Sequence, residues 1–340
     1  MPTWIETKAE IEQRKGDYDG VRRERIAAIE SKTGRPLIIY ATAFLERGKV
    51  QASGGDVAID AYDPIAFDEV ISTLQGESLD VLIHSPGGSA EAAEGIVTLL
   101  RSRFTNLRFF IPHMAKSAAT MICCAGNELL IDERSELGPI DPQMQLLRSD
   151  GQVVMAPAQA ILKQFDKAKV SLANNPKELT AWLPILQPLG PSLLTECEAA
   201  NNLSHRLVEQ WLKNYMFNGE ADADKLASDA ATYLGDSNIH LSHGRRIGID
   251  QLRALHFKIT DLRNDPELRT AVWNLYHAIS WTLQDTLAIK IIESCHNTAY
   301  IRSVVVQKVP FMLNPAPQPN QPGSGQAQPT APKRRRNRKR

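Results

Sequence analysis

Four short apolar runs punctuate the first 140 residues: 37–42 (LIIYAT), 79–83 (LDVLI), 107–112 (LRFFIP) and 129–132 (LLID). Each is too short for a buried helix and apolar almost throughout rather than alternating. That is the pattern of a strand covered on both faces. Helical spacing fills the gaps: a helix near 64–75, one opening at Ser89, and one rich in small residues from Ser117 to Ala125. The helix after Ser89 has an apolar face of Ala92, Ala93, Ile96, Val97, Leu99 and Leu100. Ser89 can cap it, and Glu91 and Glu94 sit early, where the helix dipole favours negative charge. Strands alternating with helices predict an α/β fold with a largely parallel sheet.

From about 155 to 300 the pattern turns helical, with candidate helices over 157–174, 192–216, 222–233, 249–255 and 265–296. Residues 4–32 read as one exposed, polar helix suited to packing on a neighbouring subunit. Past Pro310 the composition collapses to Pro, Gln, Gly, Ser, Asn and Ala, which cannot bury enough apolar surface to fold, so disorder is expected there. The expected organisation is a helical arm over 1–35, an α/β domain over 36–260 with a helical insertion at about 155–235, a helical region over 261–310, and a disordered linker with a basic tail over 311–340.

Lys and Arg number 39, as do Asp and Glu, but the balance is uneven. The stretch Lys333 to Arg340 (KRRRNRKR) holds seven positive charges, leaving a mildly acidic body. That tail is a candidate contact for nucleic acid or another anionic partner, or a solubilising end. The cysteines are Cys123, Cys124, Cys197 and Cys295. None has C-x-x-C spacing, so neither a disulfide framework nor a zinc site is expected, and reduced thiols in a cytoplasmic protein are the simplest reading. Cys123 and Cys124 read as core packing. No signal-peptide pattern opens the chain and no run approaches 18 apolar residues, so no membrane span is expected.

Two motifs carry chemistry. Ser85-Pro86-Gly87-Gly88-Ser89 follows a buried strand and precedes a helix; two glycines allow a sharp turn and close approach to a ligand, with amides suited to a developing oxyanion. Ala115-Lys116-Ser117-Ala118-Ala119-Thr120 follows the next strand; its serine stands at a helix start among small neighbours, with the Ala118 N–H a further donor. Taken singly, the first is an ordinary strand-to-helix turn and the second an N-cap serine. Together, about 30 residues apart with a strand between, they weigh against both of those plain readings.

The text LDVLIHSPGGS followed by FFIPHMAKSAATMICCAGNELLIDERSELGPIDPQ resembles the ClpP/crotonase superfamily, and within it the serine dehydrogenase proteinases, cousins of SppA peptidases. The resemblance is dense over 79–143 and weaker to about 257. It implies a ClpP/crotonase-like spiral of strand–helix units with a helical elaboration, a peptide-cleaving activity, a homo-oligomer, and neither metal nor organic cofactor. It maps the nucleophile to Ser117 and oxyanion donors to Gly87 and Gly88. ClpP uses a histidine about 25 residues after its serine, where this chain reads Gly138-Pro139-Ile140-Asp141-Pro142-Gln143. The serine dehydrogenase proteinase order Ser, Asp, His maps the aspartate to Asp141 and the base to His243, in His243-Gly244-Arg245-Arg246-Ile247. Asp141 is otherwise a turn residue before Pro142.

His240 is the competing histidine. SppA relatives use a Ser–Lys dyad, for which Lys163 is a better candidate than Lys116, whose side chain should point away. His84 and His113, at strand ends beside the motifs, are expected to make structural hydrogen bonds. Two other classes stay open: a crotonase-like enzyme acting on acyl-CoA, and a non-catalytic scaffold binding nucleic acid through its tail.

Overall fold

The computed structural model describes residues 3–147, 151–187, 189–296 and 298–304. Along the chain the helices are α1 (Trp4–Gln13), α2 (Tyr18–Thr33), α3 (Arg47–Ala52), α4 (Asp63–Ile71), α5 (Ala90–Arg103), α6 (Ala118–Cys124), α7 (Ala158–Asn174), α8 (Leu179–Leu186), α9 (Leu193–Trp211), α10 (Ala223–Gly235), α11 (Ser237–His240), α12 (Ile249–Ala254) and α13 (Pro266–Asp285). The strands are β1 (Leu37–Thr42), β2 (Ser78–His84), β3 (Asn106–Phe110), β4 (Met114–Ala115), β5 (Glu128–Ile131), β6 (Glu136–Leu137), β7 (Gln143–Leu147), β8 (Val153–Pro157), β9 (Ile259–Asp261), β10 (Ala288–Ser294) and β11 (Ala299–Ser303).

The four apolar runs form β1, β2, β3 and β5, parallel neighbours in a seven-stranded sheet of order β11-β10-β1-β2-β3-β5-β9. The sheet is mixed: β10 runs antiparallel to β1, and β11 antiparallel to β10. One face packs on α4, α5, α6, α9 and α10, through Ile38, Val81, Ile83, Phe109 and Leu129. The other packs on α2 and α13, through Leu37, Ile39, Leu82, Phe110 and Leu130. Alternate residues of one strand therefore serve opposite cores, which is why these runs are apolar without a period of two.

Three expectations need correction. Residues 4–32 form two helices, broken where Lys15 (φ 58°) and Gly16 (φ 81°) turn the chain. They are not a detached arm: Ile11 and Val21 pack with Ala278 and Trp281 of α13, and Ile26 and Ile29 lie in the core under the sheet. The expected helix over 265–296 ends at Asp285, and its last third is strand β10, buried along its whole length. Residues 143–157 hold a β-hairpin, β7–β8, which the sequence reading missed. The expected linker and tail, 311–340, lie outside the described residues. No described helix is long and apolar enough to cross a membrane.

Candidate active site

Strand β2 ends at His84, and Ser85 to Ser89 turn the chain into α5. Ser89 caps that helix as expected, accepting the Ala92 N–H at 3.0 Å. The turn is pinned beside residue 59: the Ile59 N–H donates to the Gly87 carbonyl (2.8 Å) and the Ser89 N–H to the Ile59 carbonyl (3.0 Å). Gly88 faces Ile59 so tightly that a Cβ on it would lie 2.3 Å from the Ile59 carbonyl oxygen. The pairing uses the groups on either side of Gly88. Its own N–H is left with no partner among the described residues.

The Gly87 N–H, expected as an oxyanion donor, donates to Ser85 Oγ at 3.2 Å, and Gly87 lines the same cleft as Ser117. At φ 92° it adopts a backbone that favours glycine. A Cβ there would meet Ser117 Cβ at 2.7 Å and the Ala118 nitrogen at 2.8 Å. The diglycine turn and the start of α6 are thus in direct contact.

Ser117 occupies the N-cap position of α6 but does not cap it. Its backbone is at φ 51°, ψ −122°, outside the conformations a capping serine uses. Its hydroxyl has no hydrogen-bond partner among the described residues, and the same holds for the Ala118 N–H, the first orphan donor of the helix. The local brace is Thr120, whose hydroxyl donates to the Ala115 carbonyl (2.8 Å) and accepts the Gly138 N–H (3.0 Å).

His243 and Asp141 are brought together across 102 residues, His243 Nδ1 lying 2.8 Å from Asp141 Oδ1. The carboxylate is 2% exposed and the imidazole 28%. Asp141 Oδ2 accepts from Gln143 Nε2 at 2.7 Å. The two segments are stitched by a backbone pair between Leu137 and Ile247, of 3.0 and 3.1 Å. His243 Nε2 has no partner among the described residues, and no direct bond joins it to Ser117. Both side chains line one cleft, with a cavity volume of about 720 Å³, whose walls include Gly88, Ala118, Met121, Met144, Met155 and Leu203.

The competing bases are held elsewhere. The buried His240 pairs Nε2 with the Tyr233 carbonyl at 2.7 Å, away from that cleft. Lys163 bonds Asn238 on a separate polar pocket. Lys116 points away, as expected: its ammonium meets Glu136 (3.0 Å) and the Leu137 carbonyl (3.1 Å), and burial lowers its pKa. It ties the chain beside Ser117 to the strand leading to Asp141.

His84 and His113 stack at 5.6 Å on the α13 face of the sheet, and neither lines the cleft. His113 pairs with the Tyr276 hydroxyl as expected (2.9 Å), and His84 bonds the Met114 backbone while its Nδ1 is buried without a partner. Cys123 and Cys124 are buried in α6, their thiol pKa values pushed far up by desolvation, as core packing requires. Gln143 is the site residue the sequence reading passed over; its one signal is its place two residues after Asp141.

A serine presented at a helix start against a diglycine turn stands here on one face of a mixed α/β sheet, in keeping with a ClpP-like fold. Residues 62–179 match the model of the ClpP-like SDH-type serine proteinases. An uncharacterized protein of Methanocaldococcus jannaschii is 31% identical over 198 residues, covering 54% of this chain and 66% of its own length. A second uncharacterized protein of that organism is 36% identical over 72 residues, 21% of this chain and 25% of its own. The chain thus spans less than two thirds of the length of these curated relatives. Among solved structures, a mutant of a membrane-bound stomatin-specific protease aligns with 63% of this chain and 79% of its own, at 13% identity and a TM-score of 0.38, a likeness too slight to carry an argument.

Proposed function

We propose that this protein is a serine peptidase in which Ser117 is the nucleophile, His243 the base and Asp141 its partner. One observation carries the reading: the unengaged Ser117 hydroxyl shares a cleft with the free nitrogen of an Asp141-bound imidazole and with two unpartnered backbone amides.

In this mechanism His243 Nε2 takes the proton of Ser117 Oγ as that oxygen attacks the scissile carbonyl carbon. Asp141 accepts from Nδ1, which fixes the tautomer and stabilises the imidazolium. The oxyanion is received by the N–H groups of Gly88 and Ala118, with Gly87 holding the turn in place. The imidazolium then protonates the leaving amine, and water admitted through the same base hydrolyses the acyl-enzyme. Gln143, donating to the far oxygen of Asp141, keeps the carboxylate oriented.

The lysine readings are disfavoured by the contacts of Lys116 and Lys163. We further propose a polypeptide substrate, a homo-oligomeric assembly and a cytoplasmic site of action; the four cysteines are free, in keeping with a reducing compartment. A fluorophosphonate probe tests the nucleophile: it should label the protein and fail to label Ser117→Ala. Labelling that survives the substitution moves the nucleophile elsewhere.

A further inference from the structure

The chain carries a lysine, Lys290, with 0% exposure in the middle of β10, on the face of the sheet that packs around the Ser117 site. A lone buried ammonium costs several kcal/mol, and this one is fully partnered. Its three N–H groups are shared among four oxygens: Asp63 Oδ1 and Oδ2 (2.7 and 2.9 Å), Asp60 Oδ2 (3.1 Å) and the Ala58 carbonyl (2.9 Å). Arg302, on neighbouring β11, donates to the same Asp60 Oδ2 at 2.7 Å.

These partners lead to the oxyanion turn along two paths. Ala58 and Asp60 flank Ile59, so the ammonium grips the chain on both sides of the residue whose N–H and carbonyl hold Gly87 and Ser89. Nothing can slip between Ile59 and Gly88, where a single added carbon would overlap the Ile59 backbone. A displacement of Ile59 is therefore transmitted to the Gly88 N–H. On the second path Asp63 Oδ2 accepts from the Tyr40 hydroxyl at 2.8 Å. The Tyr40 phenol neighbours Ser85, whose Oγ accepts the Gly87 N–H. Both flanks of the diglycine turn thus trace back to one cation.

We infer that Lys290 is a positioning residue, which sets the Gly88 N–H against the place where an oxyanion forms beside Ser117. The inference rests on the serine peptidase reading for its catalytic consequence but not for its structural one. Apolar packing could hold β10 against β1; it would not fix residues 58–60 to a single place, and misplacing an oxyanion donor by about 1 Å costs roughly 100-fold in rate.

The test uses the full chain carrying Lys290→Met together with Asp63→Asn, which removes the cation without stranding its main counter-charge. Amide hydrogen exchange and the rate of fluorophosphonate labelling are read alongside thermal unfolding. The expected result is a folded protein whose amides at 57–60 and 85–89 exchange at least about tenfold faster while those of α13 are unchanged. Labelling falls about 10–100-fold, and with an ester substrate the loss lies in kcat, with KM within about twofold. A folded double variant with wild-type exchange in those segments and wild-type labelling overturns the inference. Should the double variant not fold, Asp60→Asn with Tyr40→Phe weakens both paths while leaving Lys290 paired with Asp63, and unchanged exchange at 57–60 and 85–89 together with unchanged labelling then has the same force. If the unaltered protein does not label, the peptidase reading falls, and the exchange result still decides whether Lys290 holds the turn.

Discussion

Gly87 and Ser117 approach so closely that a methyl group on the glycine would sit 2.7 Å from the serine Cβ. Gly87→Ala therefore forces the turn and the start of α6 apart, on top of the strain of an alanine at φ 92°. The expected outcome is a destabilisation of about 1–3 kcal/mol and a fall in labelling rate of about 100-fold. Gly76→Ala is the control. Its φ is 91° with nothing within 4 Å of the added carbon, so it should show the strain alone and keep wild-type labelling.

The Asp141–His243 pair makes a different prediction. In Asp141→Asn the amide keeps the shape, but presenting its NH₂ to Nδ1 favours the tautomer whose proton sits on the nitrogen meant to act as base. A loss of about 10³–10⁴-fold in kcat is expected, with little change in thermal midpoint. Steady-state kinetics on an ester or peptide substrate measures it, and a variant within tenfold of wild type would show that the imidazole works without its carboxylate.

Ser117 is held at a positive φ that a glycine adopts without strain. Ser117→Gly should therefore be more stable than both wild type and Ser117→Ala, by about 1 kcal/mol in chemical denaturation, while abolishing labelling. Equal stability of the glycine and alanine variants would mean that the serine backbone stores no strain.

Acid should weaken the fold through His84. Burial holds this imidazole's pKa down to about 3, against an ordinary 6.5. The unfolded chain takes up a proton that the folded one refuses, so the contribution is whole above about pH 6.5 and is lost as pH falls toward 3. The slope approaches about 1.4 kcal/mol per pH unit between those limits. His84→Gln should remove that part of the dependence in unfolding free energies measured from pH 7 to 4, and an unchanged slope would assign it to other groups.

Lys163→Ala separates the two kinds of base. Its ammonium bonds Asn238 outside the cleft, so labelling and hydrolysis should stay at wild-type rates. Loss of both would revive the Ser–Lys reading.

The central strands were legible because β1, β2, β3 and β5 are covered on both sides, so their side chains are apolar whichever way they point. The PGG turn and Ser117 were legible because backbone geometry demands glycine in one and small neighbours in the other. Strand β10 was not: AIKIIES breaks its apolar run with Lys290 and Glu293, whose partners Asp63 and Arg22 lie far away in the chain. It also follows α13 after only Thr286 and Leu287, so the helical spacing of apolar residues runs on across the boundary. The hairpin 143–157 escaped because both its faces are partly exposed and neither carries a clean alternation. The Asp141–His243 pair came only through the family resemblance; spacing alone cannot show that residues 102 apart touch.

Between those two side chains the chain makes an excursion through the hairpin and helices α7 to α11, then returns to its point of departure. The loop is closed at its neck by the dyad and by the Leu137–Ile247 backbone pair. Helix α10 and the C-terminal part of α9 are rooted in the main core, whereas α7, the β7–β8 pair and the start of α9 gather around a small core of their own. That outer portion supplies Met144 and Met155 to the cleft wall, so a change in its length would alter what reaches Ser117 while the neck still joins Asp141 to His243.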